Sequence, residues 1–130
     1  MSINSVQHER HAGSGQDLVT VIGSFAVATD GTVSAVKGRG FTVASGASGT
    51  FTVTLDRAYP ELVCGMVGWE SSTYSDGGAQ SGGYVAATGV LTVHTYDEDA
   101  AGVRTNVDPA VAGRINFRLE LTKYSGQVTA

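Results

Sequence analysis

Three side chains near the start of the chain have types that can bind a metal ion: His8, Glu9 and His11. Imidazole and carboxylate groups coordinate zinc, but a site needs a folded scaffold that holds its ligands in place. The residues around this group show neither the period of a helix nor that of a strand. We therefore expect a solvated segment here and no metal site.

A second group is acidic and consists of Asp97, Glu98 and Asp99, with Asp108 further along the chain. Carboxylates in a flexible loop are the ligands that calcium prefers. However, the spacing lacks the glycine and the terminal glutamate of a helix–loop–helix calcium site. The pattern favours a solvated acidic loop, so we predict no metal and no cofactor.

The residues that could act as nucleophile or base lack the partners that catalysis requires. His94 lies on the polar side of a strand-like run, and no nucleophile motif accompanies it. Cys64, the only cysteine, lies in the apolar run 62–67, where a small buried thiol packs well. The glycines around Arg39 do not form a phosphate-binding loop and indicate a strand break or bulge. We therefore predict a protein that is not an enzyme.

Composition narrows the possible partners. The chain has 130 residues, enough for one domain with its own core, and a formal net charge of −4. This charge predicts no general attraction to nucleic acid or to anionic membranes. The N-terminus lacks the order of a signal peptide, and no apolar run approaches the ~20 residues that span a membrane. We expect folding in a reducing cytoplasm.

The elements that carry these side chains are predicted to be strands. Charged residues make up only 15% of the chain, and glycine occupies 18 positions, beside abundant threonine and valine. This composition favours strands joined by turns over helices. Residues 1–17 lack a period and are interpreted as an N-terminal arm; residues 18–124 form the β-sandwich domain, and 125–130 a short tail.

Three strands are clearest. In residues 50–55 and 115–122, apolar and polar residues alternate, which predicts strands with one face in the core and one toward solvent. Residues 62–69 are almost continuously apolar, which predicts a central strand covered on both faces. Asp30 and Gly31 predict a tight hairpin turn with positive φ angles, followed by a returning strand over residues 32–36.

Two glycine-rich or polar stretches are predicted to be long loops, at residues 71–83 and 97–113. Seven or eight short strands separated by such turns predict an all-β fold, an antiparallel sandwich or barrel. Trp69 ends the most apolar run and is explained by core packing, whereas Tyr74 and Tyr84 are candidate contact residues.

In order and spacing, several strand-and-turn segments resemble a group of small phage and prophage head decoration proteins. The resemblance covers roughly residues 23–124. The matching segments are GSFAV at 23–27, DGT at 30–32, GRGFTV at 38–43, GTFTVTLD at 49–56, YP at 59–60, GVLTV at 89–93 and RINFRL at 114–119.

The resemblance implies a jelly-roll-like β-sandwich that acts as a capsid cement protein without an active site. It implies a homotrimer on the exterior of the virion that bridges subunits of the major capsid protein. We further expect the arm to order on the capsid or on a neighbouring copy, with Ile3 and Val6 as apolar anchors.

Two other functions stay open. A phage tail-fibre or receptor-binding β-domain would use Tyr74, Tyr84 and the two long loops to hold a glycan. A small β-barrel hydrolase would use Asp97, Asp99 or His94 and is the less favoured of the two.

Overall fold

The computed structural model describes residues 18–74 and 76–123. The arm predicted over residues 1–17, with Ile3 and Val6, lies outside these ranges, as does the predicted tail over 125–130. The described residues form nine strands: β1 (Leu18–Val27), β2 (Val33–Gly38), β3 (Phe41–Ser45), β4 (Thr50–Leu55), β5 (Glu61–Glu70), β6 (Gly78–Val85), β7 (Val90–Glu98), β8 (Arg104–Asn106) and β9 (Gly113–Thr122).

The strands form two antiparallel sheets. Sheet A has the order β2-β1-β9-β5; sheet B has the order β3-β4-β7-β6, and the short β8 pairs with β7. The predicted all-β antiparallel sandwich is confirmed. The jelly-roll detail is not confirmed, since β1–β2, β3–β4 and β6–β7 are hairpins that each stay within one sheet.

The core lies between the sheets and is built by strand alternation. Phe51, Val53 and Leu55 on β4 are buried, and the same holds for every second residue of β9 from Ile115 to Leu121. Both alternating strands are therefore confirmed. Aromatic rings pack in this core: the Phe25 ring centroid lies 5.9 Å from that of Phe51 on the opposite sheet and 6.4 Å from that of Phe117 on the same sheet.

The hairpin at Asp30 is confirmed, with a difference in its turn. The Gly31 N–H donates to the Ala28 carbonyl at 2.9 Å, and φ is +85° at Gly31. Positive φ within this turn belongs to the glycine alone. Hydrogen bonds from Thr32 to the Asp30 carboxylate hold the pKa of Asp30 below its usual value and help to close the turn.

The prediction for residues 62–69 is wrong in two respects. β5 is the edge strand of sheet A, and its outer side chains Val63 and Met66 are 56% and 63% exposed. Cys64 is also exposed and does not lie in the core. A bulge between Leu62 and Cys64 shifts the alternation, so that Cys64 pairs with the outward-facing Glu120. Continuous apolar residues therefore do not imply two covered faces here.

Parts of both predicted long loops are strands. β6 begins at Gly78 inside the first, and the second contains the end of β7 and the whole of β8. Glycine and serine carry no apolar alternation, so β6 is recognisable only from its backbone pairing with β7. Between β7 and β8 a tight turn forms, in which the Gly102 N–H donates to the Asp99 carbonyl at 2.9 Å.

Candidate functional site

A groove of about 520 Å³ runs across the outer face of sheet A. It is called the sheet A groove below, and the lining residues used here are Ile22, Ser24, Lys37, Met66, Gly68 and Arg118. Two of its apolar side chains are unusually open, because Ile22 is 58% exposed and Met66 is 63% exposed.

The strand register explains the shape of this groove. Arg118 on β9 pairs with Ile22 on β1 and with Met66 on β5, which gives one row of long side chains. In the next row, Asn116 pairs with Ser24 and with Gly68. The side chains of the second row are shorter than those of the first, so the first row projects above the second and leaves a trough beside it. A Cβ added at Gly68 would have nothing within 4 Å, so this part of the trough is open.

The groove is bordered by cations. Lys37 comes from β2, and the Arg118 guanidinium donates to Glu120 at 3.2 Å. Such an exposed ion pair contributes only about 0–1 kcal/mol, so Arg118 can exchange partners at low cost. Arg114 lies on the same strand as Arg118 and donates to the Ser24 hydroxyl at 3.0 Å and to the Ala35 carbonyl. The groove thus combines apolar side chains with a basic border.

The outer face of sheet B has a polar pocket of about 210 Å³. Its lining residues are Gln80, His94, Tyr96, Arg104 and Asn106, and it is called the His94 pocket below. These side chains come from β6, β7 and β8. Gln80 pairs with His94 and Asn106 pairs with Tyr96, so the register places them in adjacent rows.

Arg104 is held by three neighbours in this pocket. Its Cζ lies 4.4 Å from the centroid of the Tyr96 ring. Its Nε donates to Glu98 at 3.1 Å, and one terminal nitrogen donates to the Gln80 side-chain oxygen at 3.3 Å. Stacking on a ring and two hydrogen bonds fix the plane of the guanidinium.

Asn106 joins the backbone just before β4 to that of β7, beside the pocket. Its side-chain amide satisfies its neighbours when the nitrogen is placed toward the carbonyl oxygens of Gly49, at 2.6 Å, and Thr95, at 2.9 Å; in this orientation the amide oxygen accepts from the Thr50 hydroxyl at 3.2 Å. The ring nitrogen Nδ1 of His94 lies 3.4 Å from the same Thr50 hydroxyl. One network therefore links β4, β7 and β8.

The acidic residues predicted to form a loop take part in hydrogen bonds, over both short and long separations in the sequence. Asp99 accepts from the N–H groups of Ala101 and Val103, both at 2.9 Å, and Asp108 accepts from the Gly49 N–H at 2.7 Å. The remaining two, Asp97 and Glu98, are joined through the Glu98 N–H, which donates to Asp97 at 3.2 Å. Within residues 18–74 and 76–123, no group of three or more His, Cys, Asp or Glu residues is arranged to hold a metal ion. The other candidate metal ligands, His8, Glu9 and His11, lie outside these ranges.

The two candidate contact tyrosines differ in their surroundings. Tyr74 is 94% exposed, whereas Tyr84 is half-buried and its hydroxyl donates to the Tyr59 carbonyl at 2.7 Å. Burial raises the pKa of Tyr84, and the hydrogen bond to Tyr59 opposes that shift. Trp69 packs against the core. Neither candidate tyrosine lines the sheet A groove or the His94 pocket.

Sequence reasoning missed both surfaces, although one signal was available. Ile22 lies on the same outward face of β1 as the polar residues Thr20 and Ser24, while Val21 and Phe25 point into the core. An apolar residue on the polar phase of an alternating strand indicates an exposed contact position. Arg104 and Gln80 carry no such signal, because both lie in stretches without periodicity.

Comparisons with protein-family models, with curated proteins and with solved structures found no match to this chain. In the part of the chain that the structure describes, no helix has the length and hydrophobicity to cross a membrane.

Proposed function

We propose that this protein is a phage capsid decoration protein that binds the outer surface of the assembled head through the sheet A groove. The observation that supports this proposal is the exposure of Ile22 and Met66 on one sheet face, beside a trough. The resemblance of its strand-and-turn segments to head decoration proteins supplies the partner, the major capsid protein.

The exposed apolar side chains favour a protein interface. Ile22, Val63 and Met66 expose more than half of their surfaces and point away from the core of sheet A. Exposed apolar patches mark contact sites, and Ile22 and Met66 flank Arg118 in one row on this face. Methionine and arginine are enriched at interfaces, and the flexible methionine side chain adapts to an irregular partner.

The basic border argues against a second copy of this chain, bound groove to groove, as the partner. If two copies met groove to groove, Lys37 and Arg118 of each would approach the same cations of the other. Like charges brought together at an interface oppose binding. The groove therefore suits a partner segment with apolar side chains and flanking carboxylates, which we assign to the capsid surface.

A homotrimer, as the resemblance implies, is compatible with this use of the groove. A cyclic trimer joins two different patches of each copy, so its contacts need not include the groove. Three grooves would then face the shell together. Binding to the assembled shell and not to free subunits stabilises the shell by mass action, without any catalytic step.

The proposal is tested by adding purified protein to decoration-free heads of the same phage and measuring occupancy by sedimentation. We expect the wild type to bind and to raise the temperature at which the heads rupture. Met66→Glu and Ile22→Glu should each weaken binding at least tenfold, because a carboxylate would be buried in an apolar contact.

The matched control is Thr52→Glu, which adds the same charge to the outer face of sheet B, where Thr52 pairs with Thr92. Circular dichroism melting identifies any variant that fails to fold. Absence of wild-type binding, or equal loss of binding in Thr52→Glu and Met66→Glu, would contradict the proposal.

A further inference from the structure

We infer that the His94 pocket is a binding site for a neutral saccharide. This site lies on sheet B and is independent of the sheet A groove and of the proposed capsid contact. The Tyr74 and Tyr84 side chains are not part of it.

The pocket is built on strands and not on mobile loops. Gln80 and His94 face each other across the β6–β7 ladder, and Tyr96 faces Asn106 across the β7–β8 ladder. Polar groups held by a sheet keep their spacing before a ligand arrives, which lowers the entropic cost of binding.

The tautomer of His94 follows from the orientation of the Asn106 amide. With the amide nitrogen placed toward the Gly49 and Thr95 carbonyls, the Thr50 hydroxyl donates its single hydrogen to the Asn106 amide oxygen at 3.2 Å. The same hydroxyl can then only accept from His94 Nδ1, 3.4 Å away, so this contact is a hydrogen bond in the tautomer with the hydrogen on Nδ1. In the neutral imidazole, Nε2 is therefore an acceptor, and it lies on the side of the ring toward Gly82.

The Gln80 amide and the Arg104 guanidinium add donors to the pocket. The Gln80 side-chain oxygen accepts from Arg104, which leaves its NH₂ group able to donate. The guanidinium has five N–H groups, and the contacts to Glu98 and Gln80 engage two of its three nitrogens. The pocket thus presents an acceptor on one side and several donors on the other.

A sugar hydroxyl both donates and accepts, so it matches this mixed set. An anion matches it poorly, because it can only accept, and it would meet the lone pair of His94 Nε2. Moreover, Glu98 already balances the charge of Arg104. The pocket volume, about 210 Å³, is below the roughly 300–1,000 Å³ of sites for drug-sized ligands, so the largest enclosed unit is about one sugar ring.

A glycine leaves space beside the Nε2 side of the His94 ring. A Cβ at Gly82 would lie 2.8 Å from His94 Nε2 and 3.0 Å from Cδ2, closer than side chains tolerate. Gly82 lies in the irregularity of β6 between Ser81 and Tyr84. At the adjacent Gly83, a Cβ would meet nothing within 4 Å, and this difference provides a matched pair of variants.

The test is titration of ¹⁵N-labelled full-length protein with the methyl glycosides of glucose, galactose, mannose and N-acetylglucosamine, followed by NMR. We expect at least one of them to shift the Gln80 side-chain amide and the backbone signals of β6–β8 in a saturable manner. Gly82→Ala should weaken this binding at least tenfold, because its methyl group covers Nε2, whereas Gly83→Ala should bind as the wild type does.

Inorganic phosphate is titrated in parallel to distinguish the ligand classes. Saturable shifts with phosphate and none with the glycosides would overturn the inference in favour of an anion site. The absence of shifts with all four glycosides, or equal binding by Gly82→Ala and the wild type, would also overturn it. Gln80→Ala, at an exposed position outside the core, is the second test in case Gly82→Ala does not fold. It should weaken glycoside binding to the same extent, and binding equal to that of the wild type would overturn the inference.

Discussion

The outer faces of sheet A and sheet B are built from the same alternating strands but present different chemistry. The outer face of sheet A exposes Ile22 and Met66 beside a trough, with cations at its border. The outer face of sheet B exposes threonines and a polar pocket around His94. A single inner core thus supports two unlike surfaces.

The two faces also differ in what their outer side chains do for the fold. On sheet B, Asn106 hydrogen-bonds to the backbone of Gly49 and Thr95, so an outward polar residue holds the strands together. On sheet A, Ile22 and Met66 make no comparable contribution, because much of their surface lies in solvent. Arg114 makes bonds of this kind on sheet A, to Ser24 and to the Ala35 carbonyl. The contrast therefore concerns the apolar side chains of the sheet A groove, which should add little to stability, and Asn106 on sheet B, which should add more.

The largest effect is expected at an inner position of sheet A. A Cβ at Gly23 would collide with the ring of Phe41 and lie 2.8 Å from the ring of Phe117. Those two rings already pack edge to face, with centroids 4.9 Å apart. Gly23→Ala should lower the free energy of unfolding by about 2–3 kcal/mol through overpacking, as measured by urea denaturation.

The control for this change is Gly68→Ala, on the outer phase of the same sheet, where a Cβ meets nothing. Its stability should stay within about 0.5 kcal/mol of the wild type. If both variants lost the same stability, the distinction between the inner and outer phases of sheet A would be wrong.

The second effect is expected on the outer face of sheet B. Asn106→Ala removes the donor to the Gly49 and Thr95 carbonyls and should cost about 1–3 kcal/mol, because these acceptors lose their partner. Thermal and urea melts measure the loss. Thr105→Ala, at the exposed neighbouring position of β8, should change little. If Asn106→Ala were as stable as the wild type, the proposed contrast between the two faces would be wrong.

Strand alternation explains how much of this fold the sequence predicts. The pattern of Phe51, Val53 and Leu55 predicted the inner face of β4 correctly, because side-chain burial directly produces a period of two. Cys64 was predicted wrongly because one bulge reverses the phase of everything after it. Such a bulge depends on pairing with β9, which no local pattern reveals.

The two surfaces were less predictable than the core. The sheet A groove arises because Gly68 and Ser24 share a row across three strands, so it depends on the register between segments distant in sequence. The His94 pocket depends on β6 and β8, both of which lie in stretches predicted as loops. Tyr74 and Tyr84 were chosen for their residue type and for their place in or beside a predicted loop, and their role in binding stays a prediction.

Tyr84, on the edge strand β6 of sheet B, should make the free energy of unfolding depend on pH. Burial raises the pKa of Tyr84 above the ordinary value of about 10, so the folded state favours the neutral phenol. The stability that this group contributes is fully present below pH 10 and is lost as the pH rises through the folded-state pKa.

Tyr84→Phe tests this linkage. The variant loses the hydrogen bond to the Tyr59 carbonyl and should be less stable by about 0.5–1.5 kcal/mol at pH 7. Above pH 10 its free energy of unfolding should fall less steeply than that of the wild type, as followed by urea denaturation at several pH values. Parallel pH profiles for the two proteins would show that Tyr84 is not the group responsible.

The smallest effect is expected at the edge of sheet A. Ala35 on β2 has a φ of +47°, a conformation that disfavours any side chain with a Cβ. Ala35→Gly relieves this strain but adds freedom to the unfolded chain, so the net change should be a stabilisation of at most about 1 kcal/mol. Ala44→Gly, at an exposed position of edge strand β3 without positive φ, should instead destabilise by about 0.5–1 kcal/mol. If Ala35→Gly raises stability and Ala44→Gly lowers it in the two melts, the backbone conformation at each position, and not the sheet to which it belongs, decides the effect of glycine at the edges.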